Sequence, residues 1–368
     1  MNKNKNNKKK VLIVACNDLG NGGIQRVIMD IVRNLSDKFH FDIVLFSDKE
    51  SYYEPEFKKY GKIFRITHKG AEGTLRCKLD KYIRFPRLYL GIKKILKENG
   101  PYDIIHCHNY FEAAPCLIAA KHCGVPVRIS HSHNSLLRTH IVAEIMRSIH
   151  RKLINFYATQ RIGCSQVAAD YLFGPSTGAI SIPNVIDVKR FDISRYSNSK
   201  IKHSFIHVGR FGNQKNQLFV LAVFKEIQAR WPDATLTFVG AFFEGYEKIF
   251  LPKIEQLNLK NVKILPHNAD VPALFAQSEY MVFPSLFEGL PLTLLEAQAM
   301  RVKCFASDVI TREADIGLCQ YLSLKQSVKD WATAVFNSEN KPLSQPNIQE
   351  ISLENYITQI HKVYEEKK

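Results

Sequence analysis

At 368 residues, with 45% hydrophobic and 11% aromatic side chains, the chain is long enough for two domains with substantial cores, which excludes a disordered protein and a single small module. No apolar run reaches the roughly 18 residues of a spanning helix, and eight cysteines scattered without a Cys-x-x-Cys pair read as reduced thiols of a cytoplasmic protein. The net charge of +16 is lopsided, with 31 Lys and Arg against 16 Asp and Glu through residue 190 and 20 against 19 beyond it, so one half alone is built to meet an anionic surface: a membrane, an acidic acceptor or nucleic acid.

Residues 1–10 are a basic, low-complexity tail expected to be disordered, and the short apolar run at 11–16 reads as a first strand rather than a signal peptide. A Gly-rich turn follows, and then Ile24, Val27, Ile28, Ile31, Val32 and Leu35 share one helical face. Strand, turn and helix open a doubly wound α/β domain; Gly22 and Gly23 would let a ligand approach the backbone, although many tight turns of this kind carry glycine for geometry alone. Further buried strands are expected at 41–46, 103–107 and 127–130.

Two basic stretches stand out in this half. Residues 76–97 are rich in Lys, Arg, Tyr and Phe, with Tyr89, Leu90, Ile92, Ile95 and Leu96 as an apolar face. Such a helix either lies on an anionic membrane or packs on its own sheet. Residues 138–152, with Ile141, Ile145, Ile149 and Leu153 at every fourth position, tilt the balance towards a membrane. His106 and His108 flank Cys107, and His131 and His133 flank Ser132 just past a strand end, where open α/β sheets bind ligands. Alternation along a strand is taken to point His106 and His108 to opposite faces, and the fuller ligand set of a zinc site is missing, so no metal is expected there.

A strand at 161–165 is expected to be the last of the first domain, and the polar stretch 194–202 to be a linker. At Ser204 the pattern restarts: a strand at 205–209, a loop, and a helix with Val220, Phe224, Ile227 and Trp231 on one face. Arg210 and Lys215 in that loop, VGRFGNQKN, directly follow the strand, where two cations can neutralise a diphosphate. Strands are expected at 236–240, 262–266, 280–283 and 304–307, and a final helix with Leu353, Ile357, Ile360 and Tyr364 on one face.

In FPSLFEGLPLTLLEAQAM, residues 283–300, the chain passes from strand through a Gly-containing loop to a helix, with Pro291 suited to the first helical position. The N–H groups of Leu292, Thr293 and Leu294 lack intrahelical partners at such a start, which makes an anion site. Glu288 and Glu296 lie eight residues apart beside it. Carboxylates next to an anion site suit the hydroxyls attached to the anion, as in a diphosphate joined to a ribose; the alternative is two ordinary charges, against which stands the cost of an unpaired Glu in a largely apolar helix.

This last stretch, with its Pro-Ser, Gly-Leu-Pro and Glu-Ala flanks, closely resembles the donor-binding signature of retaining glycosyltransferases of family 4. GGIQRV resembles that family's GGxERV, ISIPNVID its IPNGVD with Val185 for Gly, VGRFGNQKN its VGRLxxQKN, and HNADVPALF the segment bordering the nucleobase; VGAFFEGY departs from its VGxGP. The resemblance implies the α/β GT-B fold, two Rossmann-like doubly wound domains facing across a cleft: an acceptor domain over 11–190, a donor domain over 203–349, and a last helix within 350–368 crossing back to the first domain. It implies transfer of a hexose-type sugar from a nucleoside-diphosphate sugar, preferably UDP-linked, to a hydroxyl with retention.

By the same resemblance Glu296 holds the ribose diol and Glu288 the sugar hydroxyls, while Arg210, Lys215 and the helix start at Leu292, Thr293 and Leu294 stabilise the departing diphosphate. Gly22, Gly23, Gly289 and Leu290 complete the donor site, Val271 borders the base through its backbone, and His133, or with a shifted alignment His131, contacts the sugar and phosphate. No Asp-x-Asp pair occurs, so no metal or other cofactor is expected. The basic half suggests a lipid-linked glycan acceptor, peripheral attachment to the anionic inner face of the cell membrane, and work in capsule, exopolysaccharide or lipopolysaccharide assembly, with no nucleic-acid partner. The rival readings are a nucleotide-sugar 2-epimerase of the same fold and a basic nucleic-acid-binding protein, the latter leaving Glu288 and Glu296 without a purpose.

Overall fold

The computed structural model describes residues 8–15, 17–67, 75–135, 141–196, 200–243, 245–342 and 344–366, the side chains of 75–83, 141–143 and 349–350 apart. The chain divides into two compact units, Met1–Asn184 with Glu354–Lys368, and Val185–Leu353.

The first unit runs β1 (Lys9–Val14), α1 (Gly23–Leu35), β2 (Phe39–Leu45), the single turn α2 (Glu54–Phe57), β3 (Ile63–Arg65), α3 (Leu75–Asn99), β4 (Ile104–Cys107), α4 (Ala113–His122), β5 (Val127–Ser132), α5 (Ile141–Tyr157), β6 (Gln160–Gly163), α6 (Gln166–Phe173) and β7 (Ile180–Ser181). Its seven strands are parallel in the order β3-β2-β1-β4-β5-β6-β7. Helices cover both faces of such a sheet, so its central strands are continuous apolar runs. All of Val11 to Val14 and all of β4 are buried. The edge strands β3 and β7 are short and largely outside the core. They offer no apolar run to read, and β7, not 161–165, is the last strand of this sheet.

The second unit runs β8 (Ser204–Val208), α7 (Gln217–Arg230), β9 (Thr235–Val239), α8 (Glu247–Gln256), β10 (Val262–Leu265), α9 (Val271–Gln277), β11 (Tyr280–Phe283), α10 (Leu292–Ala299), β12 (Lys303–Ser307), β13 (Cys319–Leu322) and α11 (Val328–Phe336). Its strands are parallel in the order β10-β9-β8-β11-β12-β13. Trp331, Phe205, Phe224, Phe238 and Phe250 form its aromatic core, and α11 is started by a capping box in which Ser327 and Asp330 bond each other's backbone.

The last helix, α12 (Leu353–Glu365), belongs to the first unit. It buries Tyr356, Ile360, Val363 and Tyr364, and the Tyr364 ring meets Phe39 edge-on at 5.1 Å. These two sheets and the structural neighbours described below define the GT-B fold class.

Candidate functional site

In the second sheet the strand order reverses between β8 and β11, which are neighbours, so the loops after them leave the sheet side by side. Ligands of open α/β sheets bind at such a reversal, outside the carboxyl ends of the strands. The loop after β8 carries Arg210 and Lys215, and the loop after β11 carries Glu288 and leads into α10.

Lys215 Nζ donates to Glu288 Oε1 at 2.7 Å and lies 4.9 Å from the centre of the Phe283 ring. Both side chains are largely buried. The surrounding backbone is tied down on both sides: Leu286 N–H donates to the Gln214 carbonyl at 2.9 Å, Gln214 Nε2 donates to the Phe287 carbonyl at 3.0 Å, and Asn216 Nδ2 donates to the Pro284 carbonyl at 3.2 Å. Gly209 is needed under the lysine, because a Cβ there would sit 3.2 Å from Lys215 Cε. Gly240, at the end of β9, is needed more strongly, since its Cβ would lie 2.1 Å from the Gly209 carbonyl oxygen. Arg210 is exposed, with its guanidinium 5.3 Å from the centre of the Phe243 ring.

Glu296 is buried within α10, Gly289 and Leu290 are buried in the loop before it, and Leu292 and Thr293 are half-buried at the helix start. Two details of this start differ from the sequence reading. Pro291 caps the helix from outside in an extended conformation, and its carbonyl accepts the Leu294 N–H at 3.0 Å. The donors that a helix of this geometry leaves for an anion are therefore those of Leu292 and Thr293, without Leu294. The Val271 N–H is likewise engaged, by the Ala269 carbonyl at 2.9 Å, so it is not the group that would reach a base.

Three side chains that the sequence did not single out hold this site. Buried Gln217 accepts the Gly212 N–H at 3.2 Å and donates to the Arg210 carbonyl at 3.0 Å, fixing the cationic loop. Gln298, buried in α10, donates to the carbonyls of Leu294 and Ala314 and accepts N–H bonds from Ile316 and Leu318. His207 is bonded through Nδ1 to the Val282 carbonyl at 3.0 Å and lies between Phe238 and Phe283. Burial pushes this imidazole down to about 4 against the opposing Val282 bond, and the Lys215 charge pushes the same way as burial. Glutamine pairs at these offsets carry no period or motif, so only the folded loops reveal them.

The first unit has a different kind of strand end. β5 runs to Ser132, so His131 lies inside the strand and His133 just beyond it. Residues two apart on a strand share a face, and β4 and β5 pair in register with His106 beside Ile129. Both facts put the four imidazoles together, and the expectation that His106 and His108 diverge is overturned: their ring centres are 4.1 Å apart. His108 Nδ1 is 2.7 Å from His133 Nε2, His106 Nε2 is 3.2 Å from His131 Nδ1, and His106 Nδ1 is 2.9 Å from the Tyr364 hydroxyl. Nitrogens of His106, His108 and His131 lie within 4.8 Å of one another, close enough for a metal to be considered. Burial pushes His106 and His133 down to about 3, with the neighbouring His133 adding to the effect on His106, and drives His108 and His131 down as well. All four are neutral at physiological pH. Gly22 and Gly23 are exposed on the β1–α1 turn, where Gly22 caps α1 without a side-chain bond.

Two parallel-sheet units, with Arg210 and Lys215 on one loop and a helix start after the other at a strand-order reversal, have the layout in which open α/β sheets bind ligands. Profile matches carry this further: Glycosyltransferase Family 4 matches residues 21–190 and Glycosyl transferases group 1 matches residues 202–337. The chain belongs to glycosyltransferase family 4. It is 28% identical over 351 residues to the EpsF protein of Bacillus subtilis, covering 90% of this chain and 88% of that one. It is 27% identical over 286 residues to the capsular polysaccharide biosynthesis glycosyltransferase CapH of Staphylococcus aureus, covering 76% of each. It is also 27% identical over 252 residues to an Escherichia coli UDP-Gal:alpha-D-GlcNAc-diphosphoundecaprenol alpha-1,3-galactosyltransferase, covering 63% of this chain and 64% of that one. Among solved structures, Anabaena HepE in complex with UDP and glucose superposes with a TM-score of 0.75 at 18% identity, over 96% of this chain and 98% of that one.

Proposed function

We propose that the protein transfers a hexose-type sugar, with retention, from a UDP-sugar to a hydroxyl of a lipid-linked glycan in cell-surface polysaccharide assembly. The observation that carries this reading is the ion pair of Lys215 and Glu288, which joins the cationic loop after β8 to the helix start after β11 at the strand-order reversal. An ammonium has three donors, so Lys215 can keep Glu288 and still receive a phosphate oxygen. Arg210 and the N–H groups of Leu292 and Thr293 add to the stabilisation of the leaving diphosphate, the form of electrostatic help that weighs most in group transfer. Glu296 is assigned to the ribose diol, Glu288 to the sugar hydroxyls, Gly22, Gly23, Gly289, Leu290 and Val271 to the rest of the donor, and His133 to the sugar. No metal is assigned to the diphosphate, and the leaving phosphate takes the acceptor proton.

The acceptor class is supported by the diphosphoundecaprenol named for the E. coli relative, and the UDP preference by the ligands of HepE. Peripheral membrane attachment is supported by α5, which leaves Ile145, Ile149 and Phe156 exposed, Phe156 by 81%. The face of α3 contributes less, because Ile92, Ile95 and Leu96 pack into the core of the first unit. Arg138 falls outside the described residues, as do the side chains of 76–83. No helix among the described residues is long and apolar enough to cross a membrane. The test is a panel of nucleoside-diphosphate sugars with an undecaprenyl-diphosphate-linked sugar as acceptor. UDP release that requires the acceptor supports the proposal. Interconversion of the donor without acceptor would point to the epimerase, and salt-sensitive oligonucleotide binding without nucleotide-sugar affinity to the nucleic-acid reading.

A further inference from the structure

The four buried histidines at the ends of β4 and β5 can be resolved into proton positions by satisfying each hydrogen atom in turn. The Tyr364 hydroxyl is buried, and His106 Nδ1 is its one partner among the described residues. Its proton is satisfied only if the hydroxyl donates to that nitrogen, which leaves the proton of neutral His106 on Nε2. His106 Nε2 then donates to His131 Nδ1, and the proton of neutral His131 is left on Nε2. That atom is buried with no hydrogen-bond partner. In the neighbouring pair, whichever of His108 and His133 donates, one more N–H is left over, on His133 Nδ1 or on His108 Nε2, and both of these atoms are also buried without a partner.

Every neutral arrangement with a satisfied Tyr364 therefore ends in two unpartnered N–H donors at the carboxyl ends of two strands, and an orphaned buried N–H is among the rarest features of native structures. A cation cannot satisfy donors. Among the described residues, the one trio of nitrogens close enough to hold a metal includes His106, both of whose nitrogens are already engaged. An oxygen acceptor can satisfy them.

We infer that Tyr364 on α12 is a positioning residue which, through His106, fixes His131 as the Nε2–H tautomer, so that His131 and its neighbouring pair present N–H donors to an oxygen of the sugar or phosphate of the donor substrate. This inference rests on the reading of the protein as a nucleotide-sugar enzyme. It gives the terminal helix a role at a ligand site, which it reaches through His106, 258 positions away in sequence, where packing against Phe39 would otherwise explain it.

Two measurements separate this inference from that reading. Nitrogen-15 NMR of histidine-labelled protein, with His131 identified by substitution, is expected to show His131 neutral and protonated on Nε2, and Tyr364→Phe to convert it to a mixture of tautomers. The variant keeps the ring against Phe39 but leaves His106 Nδ1 without its partner, so it is expected to stay folded with a lower Tm than the wild type. Titration with UDP and with UDP-glucose is expected to show weaker binding in Tyr364→Phe by about fivefold, the worth of one ordinary hydrogen bond. Weakening confined to UDP-glucose places the acceptor oxygen on the sugar, and weakening of both ligands places it on the diphosphate. A His131 protonated on Nδ1, or unchanged affinity for both ligands, overturns the inference. So does a zinc-dependent rise in Tm that His106→Ala abolishes. If the wild type binds neither ligand, the proposed function fails while the NMR result still decides the relay.

Discussion

Both units place polar chemistry at the carboxyl ends of their parallel strands, but with opposite electrostatics. In the first, four imidazoles are stripped of water and held neutral at the ends of β4 and β5. In the second, a lysine and a glutamate are held charged against each other beside an exposed arginine. The bulk charge is distributed the other way, with the excess of Lys and Arg in the half that carries the neutral cluster and near balance in the half that carries the ion pair. Net charge thus reports the outer surface, where association with anionic partners is decided, and says little about the place where a ligand is held.

The largest effect that would break this contrast lies in the charged site. Lys215→Met should lower kcat/KM for sugar transfer by about 10²–10³-fold, as removal of a preorganised donor to developing charge does. Glu288→Gln keeps the shape of the pair but not its charge, and should lose activity while the chain stays folded. A variant of Lys215 with transfer near wild type, followed by UDP release, would remove the charged site from the mechanism.

The next effect belongs to the neutral site and is read by pH. The folded-state values of His106 and His133 lie at about 3, below the ordinary 6.5, so the unfolded chain binds more protons than the folded one between these limits. Stability contributed this way is complete above about pH 7 and falls as pH drops through 6.5, by about 2 kcal/mol per buried histidine at pH 5. Acid unfolding followed by hydrogen exchange should begin in the strands of the first unit. His207 is the corresponding group of the second unit, held at about 4, and a single histidine gives that unit a shallower acid response. Simultaneous acid loss of both units would contradict the contrast.

Smaller effects come from the surface. Arg210→Ala removes an exposed guanidinium, so about a tenfold loss in kcat/KM, reduced further by added salt, is expected from steady-state kinetics at two ionic strengths. Ile149→Asp on α5 should leave transfer to a soluble acceptor within about twofold, because an exposed side chain changes little in the fold. It should instead reduce flotation with anionic vesicles. Flotation equal to wild type, or no flotation of the wild type on anionic over neutral vesicles, would remove the membrane role of α5.

The residues that were legible in the sequence are those whose chemistry is local. A strand, a loop with Arg210 and Lys215, and a helix start with Glu288 and Glu296 nearby are each contained in fewer than twenty residues, and their types betray the anion. The pairing of Lys215 with Glu288 spans 73 positions and had no local sign. The histidine cluster was misread because it depends on the register between β4 and β5 and on a tyrosine from α12, and because residues two apart on a strand share a face. Gln217 and Gln298 were missed for the same reason, since a buried amide that bridges two loops looks like any other glutamine until the loops are folded.

The proposed hold of α10, at the end of the second sheet, on the ribose and diphosphate of a nucleotide sugar is central to the function. It is tested most directly by titrating UDP into the wild type and Glu296→Ala by calorimetry. The wild type is expected to bind and the variant, with its Tm unchanged, to bind at least about tenfold more weakly, the loss of a hydrogen bond to a charged acceptor. Equal affinity of the two proteins for UDP would contradict it.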